Sequence, residues 1–177
     1  MSTASASVAD QTVHAGKYLT FFLGTEEYGL KILTVHEIIG MMPVTRVPRT
    51  PDFIRGVLNL RGRVIPVVDL RVRFDMAVVE TQDVCIIVVQ VRGIQMGIVV
   101  DRVSEVVNIK PEEIEPPPSF GFDVPTDFLL GLGKAQGRVR LLLDIDHVLT
   151  DTEVLQASGV AGAAENTIDG EGTANAA

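Results

Sequence analysis

The chain repeats itself. Residues 28–38 align over residues 96–106 without a gap, with Gly29 over Gly97, Val35 over Val103 and Glu37 over Glu105. A second block sets residues 52–56 over 127–131. It runs on without a gap through Gly62-Arg63-Val64 over Gly137-Arg138-Val139 and ends with Asp69 over Asp144. Both blocks occur in the same order in each half. Self-similarity on this scale makes each half one supersecondary unit, and two copies suggest paired small domains. A unit of about 60 residues has a marginal core on its own, so the two are expected to pack together and act as one folding unit.

The pattern within each unit is that of strands. Runs at 18–23, 28–33, 54–60, 64–69, 84–91, 95–100 and 139–144 are rich in Val, Ile, Leu and aromatic residues, and polar turns bound them. Arg61-Gly62, Arg92-Gly93 and Gln136-Gly137 each put Gly second in a two-residue loop, a hairpin signal. Short strands at close spacing, with no long amphipathic helices between them, predict an all-β fold of two small antiparallel barrels. Helix is confined to a short C-terminal piece opening near Asp144 or Asp146. Residues 1–15 read as a disordered arm and 157–177 as a disordered, acidic, Ala/Gly-rich tail, which leaves 16–150 as the folded domain with halves at about 17–75 and 83–150. Pro116-Pro117-Pro118 marks a rigid connector inserted in the second copy.

Charge and reactive residues narrow the function. The net charge of −8 opposes general nucleic-acid binding. Seven of the fifteen basic residues nevertheless lie between positions 46 and 73 (Arg46, Arg49, Arg55, Arg61, Arg63, Arg71, Arg73), opposed there only by Asp52 and Asp69. They form either a face for an acidic partner or scattered solvated arginines at strand ends. The single cysteine, Cys85, sits in an apolar run and reads as a core residue. His14, His36 and His147 have no zinc spacing. Leu132-Gly133-Lys134-Ala135 fails as a phosphate loop because Ala135 stands where Ser or Thr is required. Gly131-Leu132-Gly133 fails as a dinucleotide fingerprint because it leads into a strand. No cofactor, metal or catalytic constellation is predicted. The N-terminus lacks a signal-peptide pattern and no run has the length of a membrane span, so a cytoplasmic protein is expected.

The two copies also separate fold from function. Gly29/Gly97, Phe53/Phe128, Gly56/Gly131, Gly62/Gly137 and Asp69/Asp144 recur and are read as residues of the common fold. Arg61 faces Gln136, Asn59 faces Lys134 and Pro66 faces Leu141. Arg61 is therefore not needed to make its turn.

Residues 53–62 (Phe-Ile-Arg-Gly-Val-Leu-Asn-Leu-Arg-Gly), followed by Val64-Ile65-Pro66-Val67-Val68-Asp69-Leu70, closely resemble the signature of the CheW family of chemotaxis coupling proteins. Supporting segments are 27–30, 35–38, 97–103 and 129–133, and the resemblance runs from about Lys17 to Leu149. It implies two SH3-like barrels of about five strands each, with terminal strands open to exchange between barrels. It also implies a non-enzymatic adaptor, recruited to membrane receptor arrays, between the cytoplasmic tip of chemoreceptors and the regulatory domain of the histidine kinase CheA. The matching receptor-binding positions are Val35, Glu37, Gly56, Asn59, Arg61, Val106 and Val107. Arg61 supplies a forked donor to receptor acidic or carbonyl groups, and the valines supply apolar contact to a helix. The kinase contact would be a separate apolar surface that the resemblance does not assign to residues. The alternatives are a paralogous coupling protein of another chemosensory or surface-motility pathway, and a tandem-barrel RNA-binding protein. The latter lacks stacking aromatics in its basic stretch apart from Phe53 and Phe74.

Overall fold

The computed structural model describes residues 14–117 and 127–174, with side chains described as far as residue 162. The N-terminal arm lies outside the described residues except for its last two positions, and so does Pro118 of the proline connector.

The first repeat supplies β1 (Gly16–Leu23), β2 (Glu26–Lys31), β3 (Val35–Gly40), β4 (Ile54–Leu60), β5 (Arg63–Asp69) and the short helix α1 (Leu70–Arg73). The second supplies β6 (Cys85–Val91), β7 (Ile94–Val100), β8 (Arg102–Ile109), the two-residue β9 (Ile114–Glu115), β10 (Leu129–Gly133), β11 (Arg140–Leu143) and the short helix α2 (Ile145–Val148). The hairpin tips are as the sequence suggests. Arg61 and Gly62 have φ of 53° and 88°, Arg92 and Gly93 49° and 80°, and Gln136 and Gly137 58° and 71°. Positive φ at both central residues matches the right-handed twist of the strands they join. The strands β3 and β8 sit in segments that the sequence aligns between the copies without marking them as strands.

The repeats do not fold separately. One sheet runs β3-β6-β7-β5-β4 and the other β8-β1-β2-β11-β10-β9. The hairpin β1–β2 of the first repeat thus joins the barrel of the second, and β6–β7 joins the barrel of the first. The exchange is sealed by parallel pairing of β5 with β7 and of β11 with β2. Each barrel closes where the strand after its crossing returns to the opposite edge. Thr45 bridges Val57 in the first barrel, and β9 pairs β10 in the second.

Alternation along the strands divides the apolar residues among three cores. In β6, Ile86 and Val88 face a small core of the first barrel with Leu58, Ile65 and Val67, while Ile87, Val89 and Val91 face the other way. In β1, Tyr18 enters a small core of the second barrel with Ile109, Ile114 and Leu142, while Leu19, Phe21 and Leu23 face away from it. The outward-facing sets meet in one large shared core that also holds Ile54, Val68, Leu129 and Leu143. Strands buried on both faces explain why the sequence shows continuous apolar runs rather than strict alternation. Burial of apolar surface between the barrels makes them one cooperative unit.

The recurring residues have shared tasks. The Asp69 carboxylate accepts from the Arg71 backbone N–H and opens α1, and Asp144 accepts from Asp146 and opens α2. The Asp69 N–H donates to the Phe53 carbonyl at 2.7 Å and Asp144 to Phe128 at 2.8 Å.

The C-terminal tail departs from expectation. Instead of a disordered segment from 157, a helix α3 runs over Asp151–Ala174. Its start is a reciprocal cap: the Thr150 N–H donates to the Glu153 carboxylate and the Glu153 N–H donates to the Thr150 hydroxyl oxygen. Val154 and Ala157 are buried in the shared core, and Arg73 pairs with Glu153 at 3.4 Å. The Ala-rich composition taken for disorder is also that of a good helix former once one face is anchored.

Candidate functional site

The arginines of the basic stretch fall into two sets. Arg71 is fully buried and is held by Asp69 at 3.0 Å and Asp101 at 3.1 Å. Arg55 reaches Asp69 and Glu80, and Arg73 reaches Glu153. Arg61 is engaged too: its two terminal nitrogens donate to the two oxygens of Glu37 at 3.1 and 2.8 Å. Arg46, Arg49 and Arg63 have no ion pair among the described residues. Four of the seven arginines of the apparent basic face are therefore paired with carboxylates, of which Asp69 lies within the stretch and Glu37, Glu80, Asp101 and Glu153 lie outside it.

The Arg61–Glu37 clasp joins the β4–β5 turn to β3, the edge strand of its sheet. Arg61 is 77 % exposed, so the pair sits at the surface and two of the five guanidinium N–H donors are used inward, leaving the rest for a partner. Asn59 braces the same tip, its Oδ1 accepting from the Gly62 N–H at 2.8 Å. Val35 stands two residues from Glu37 and packs half-buried against the shared core. Val35, Glu37, Asn59 and Arg61 thus form one group on the first barrel.

The other three predicted positions stand elsewhere. Val106 is 51 % exposed on β8 in the second barrel. Val107, its neighbour, points inward with Tyr18 and Ile109 and offers no surface. Gly56 is interior as well. A Cβ on it would lie 2.0 Å from the Thr45 carbonyl oxygen, and at Gly131 2.5 Å from the Glu115 carbonyl oxygen. Both glycines allow the closing strand to approach, so Gly56 and Val107 shape the site only through the backbone.

The internal comparison extends to the clasp. Glu105 corresponds to Glu37 and is also paired with an arginine, but this is the buried Arg140 on β11, at 3.5 Å. The carboxylate is common to both barrels, whereas only the first barrel meets it with an exposed arginine from the hairpin tip. Two exposed apolar residues were missed from the sequence: Ile38 on β3, the counterpart of Val106, is 46 % exposed, and Leu33 in the turn before β3 is 95 % exposed. Ile38 could have been found by asking where Val106 falls in the first copy.

No group of three or more His, Cys, Asp or Glu residues suited to a metal ion occurs among the described residues. Burial raises the Cys85 thiol above its ordinary pKa, the opposite of what a nucleophile needs. Among the described residues no helix is long and apolar enough to cross a membrane.

Residues 17–153 match the CheW-like domain. The chain is 42 % identical to the chemotaxis protein CheW of Klebsiella aerogenes over 157 residues, covering 88 % of this chain and 94 % of the relative. Protein FrzA of Myxococcus xanthus is 32 % identical over 153 residues, covering 86 % of this chain and 92 % of FrzA. The crystal structure of the scaffolding protein TtCheW from Thermoanaerobacter tengcongensis superposes with a TM-score of 0.72 at 36 % identity, covering 78 % of this chain and 95 % of that one. Two exchanged SH3-like barrels, the signature hairpin and these likenesses over most of the chain agree: it belongs to the CheW family of chemotaxis coupling adaptors.

Proposed function

We propose that this protein acts without catalysis, joining the cytoplasmic tip of chemoreceptors to the histidine kinase CheA, and that it is recruited to receptor arrays from the cytoplasm. The receptor contact is the surface around the Arg61–Glu37 clasp on the first barrel, with Val35 and Ile38 of β3 as apolar contacts and Asn59 as the brace of the tip, together with Val106 on the second barrel. The observation that carries this is the asymmetry between the copies. The same hairpin tip holds Arg61 in one and Gln136 in the other at nearly the same φ, so the exposed arginine serves something other than the turn. The guanidinium is held in one orientation by Glu37, which lowers the entropy lost when its remaining donors meet a receptor acceptor.

Arg61→Gln tests the assignment. An exposed ion pair contributes about 0–1 kcal/mol to stability, so the melting temperature should barely change. A charge-assisted contact in an interface contributes about 1.5–3 kcal/mol, so receptor affinity should fall roughly ten- to a hundredfold while CheA binding is retained. Equal losses toward receptor and kinase, or collapse of the fold, would refute it. The likeness to FrzA supports a second reading, a paralogous coupling protein for another chemosensory or surface-motility pathway. Receptor identity in a co-sedimentation assay separates the two. An RNA-binding role is not favoured, because four of the seven clustered arginines are committed to carboxylates.

A further inference from the structure

Beside the connection from β3 to β4 lies a cavity of about 670 Å³, within the range of ligand-binding clefts. Its lining includes Met41, Met42, Val44 and Val78, the cations Arg46, Arg49 and Arg55, and the carboxylates Asp52 and Asp69, of which Arg55 and Asp69 pair with each other. The clasp residues do not line it. Met41, Met42 and Val78 are 39 %, 37 % and 45 % exposed, so an apolar lining faces solvent. Arg46 and Arg49 lack any ion-pair partner among the described residues, on a chain whose net charge is −8.

Arg49 also has a left-handed backbone, as Arg61 and Arg92 do. Its φ is +64°, and Pro48, Thr50 and Pro51 surround it. The Thr50 hydroxyl donates to the Val47 carbonyl at 2.9 Å and holds the turn. A left-handed backbone disfavours an L-residue other than Gly, Asn or Asp. Arg61 and Arg92 share this backbone region but are ion-paired, whereas the Arg49 guanidinium has no ion pair among the described residues.

We propose that this cavity is a docking site for an acidic protein segment with an apolar anchor. The anchor enters among Met41, Met42 and Val78, whose flexible methionines adapt to its shape. Carboxylates on either side of it take Arg46 and Arg49. Charge complementarity selects the partner: Arg46 and Arg49, unpaired among the described residues, outnumber the one lining carboxylate that is not ion-paired, Asp52, so an acidic segment is attracted here, and less strongly as salt is raised. The site is separate from the receptor contact and does not depend on that assignment.

The five methionines make a direct assay. Full-length protein labelled with ¹³C at the methionine methyls is titrated with the peptide acetyl-Glu-Asp-Leu-Phe-Glu-Asp-amide, and in parallel with its Gln/Asn counterpart. Saturable shifts are expected at Met41 and Met42 but not at Met96, which is 1 % exposed in the shared core. The neutral peptide should bind at least about tenfold more weakly, and Arg46→Gln and Arg49→Gly should each weaken the acidic peptide by about tenfold. Arg49→Gly should leave the melting temperature unchanged or raise it, a result that a purely structural Arg49 would not produce. Arg61→Gln should leave peptide binding intact. The proposal is overturned if Met41 and Met42 do not respond, if the two peptides bind equally, or if both arginine variants bind like wild type. It is also overturned if the two methyl signals broaden with protein concentration and ignore the peptide, because the face would then belong to a second copy of this chain.

Discussion

Gly56→Ala should damage the fold rather than a binding contact. At this position φ is +141° and an added Cβ would lie 2.0 Å from the Thr45 oxygen, 2.7 Å from its carbonyl carbon and 3.0 Å from the Arg46 Cα. These are backbone atoms, so no side-chain rotation relieves the overlap. The closing segment must move, and with it go the bonds from Thr45 N–H to the Val57 carbonyl at 2.8 Å and from Val57 N–H to the Thr45 carbonyl at 2.9 Å. Two backbone hydrogen bonds are worth about 1–3 kcal/mol together. Holding an L-residue at an unfavourable φ costs about 1–3 kcal/mol more. The expected loss of about 2–6 kcal/mol is a large share of the 5–15 kcal/mol of a typical domain. Gly131→Ala meets the Glu115 oxygen at 2.5 Å without a left-handed φ and should cost less. Gly62→Ala has open space and a φ of +88°, so only the conformational penalty of about 1–2 kcal/mol applies. Equilibrium urea unfolding of the three variants measures the ranking. Receptor affinity, normalised to the folded fraction, should be unchanged in Gly56→Ala. A wild-type unfolding midpoint, or a selective loss of receptor binding in a fully stable variant, would refute the steric argument and return Gly56 to the interface.

Thr150→Ala removes the hydroxyl that caps α3 and should cost about 1 kcal/mol, with a drop in helical circular dichroism; an unchanged melt would mean that α3 does not contribute to the folded domain. Ending the chain at Thr150 should cost more, because it strips Val154 and Ala157 from the shared core. With no Trp and two tyrosines, absorbance near 295 nm reports tyrosine ionisation directly. Burial pushes Tyr18 up to about 12, with its hydroxyl donating to the His14 carbonyl. Because the folded pKa lies above the unfolded one, this stabilisation is complete below about pH 10 and lost as pH rises through 12. Tyrosine absorbance in the native protein should lag that of the urea-unfolded chain at pH 11, and coincident curves in a folded sample would contradict the burial of Tyr18.

Local chemistry made part of this protein legible in its sequence. The Arg61-Gly62, Arg92-Gly93 and Gln136-Gly137 turns follow from what a tight hairpin demands, and the strands beside them follow from Val, Ile and Leu content. The duplication follows from residue identity, and family membership follows from the hairpin signature. The cap of α3 was present as Thr150 and Glu153, three residues apart, but the Ala/Gly-rich stretch after it masked the signal. Most of the clasp was legible too, as Glu37 and Arg61 by resemblance, though not the bond between them. Val107 and Gly56 stand among the receptor-binding positions by resemblance alone, and sequence carries no sign of which way one residue of an edge strand points once a bulge intervenes, as at Ile54/Gly56 in β4.

Tertiary structure decided which strands share a barrel. Asp101 alone separates β7 from β8, and a hairpin needs about two residues to turn, so β8 cannot fold back on β7 and crosses to the other barrel. The turn Ile32–Thr34 carries β3 across in the same way. Neither crossing is visible in a run of apolar residues whose pattern suits either barrel. The same holds for the arginines: Asp101 and Glu153 reach Arg71 and Arg73 only after the barrels have closed and α3 has docked. Propensity and turn chemistry act over a few residues and are written in order along the chain. Pairing, burial and charge neutralisation depend on what lies opposite, and that is set only when the exchanged hairpins meet in the shared core.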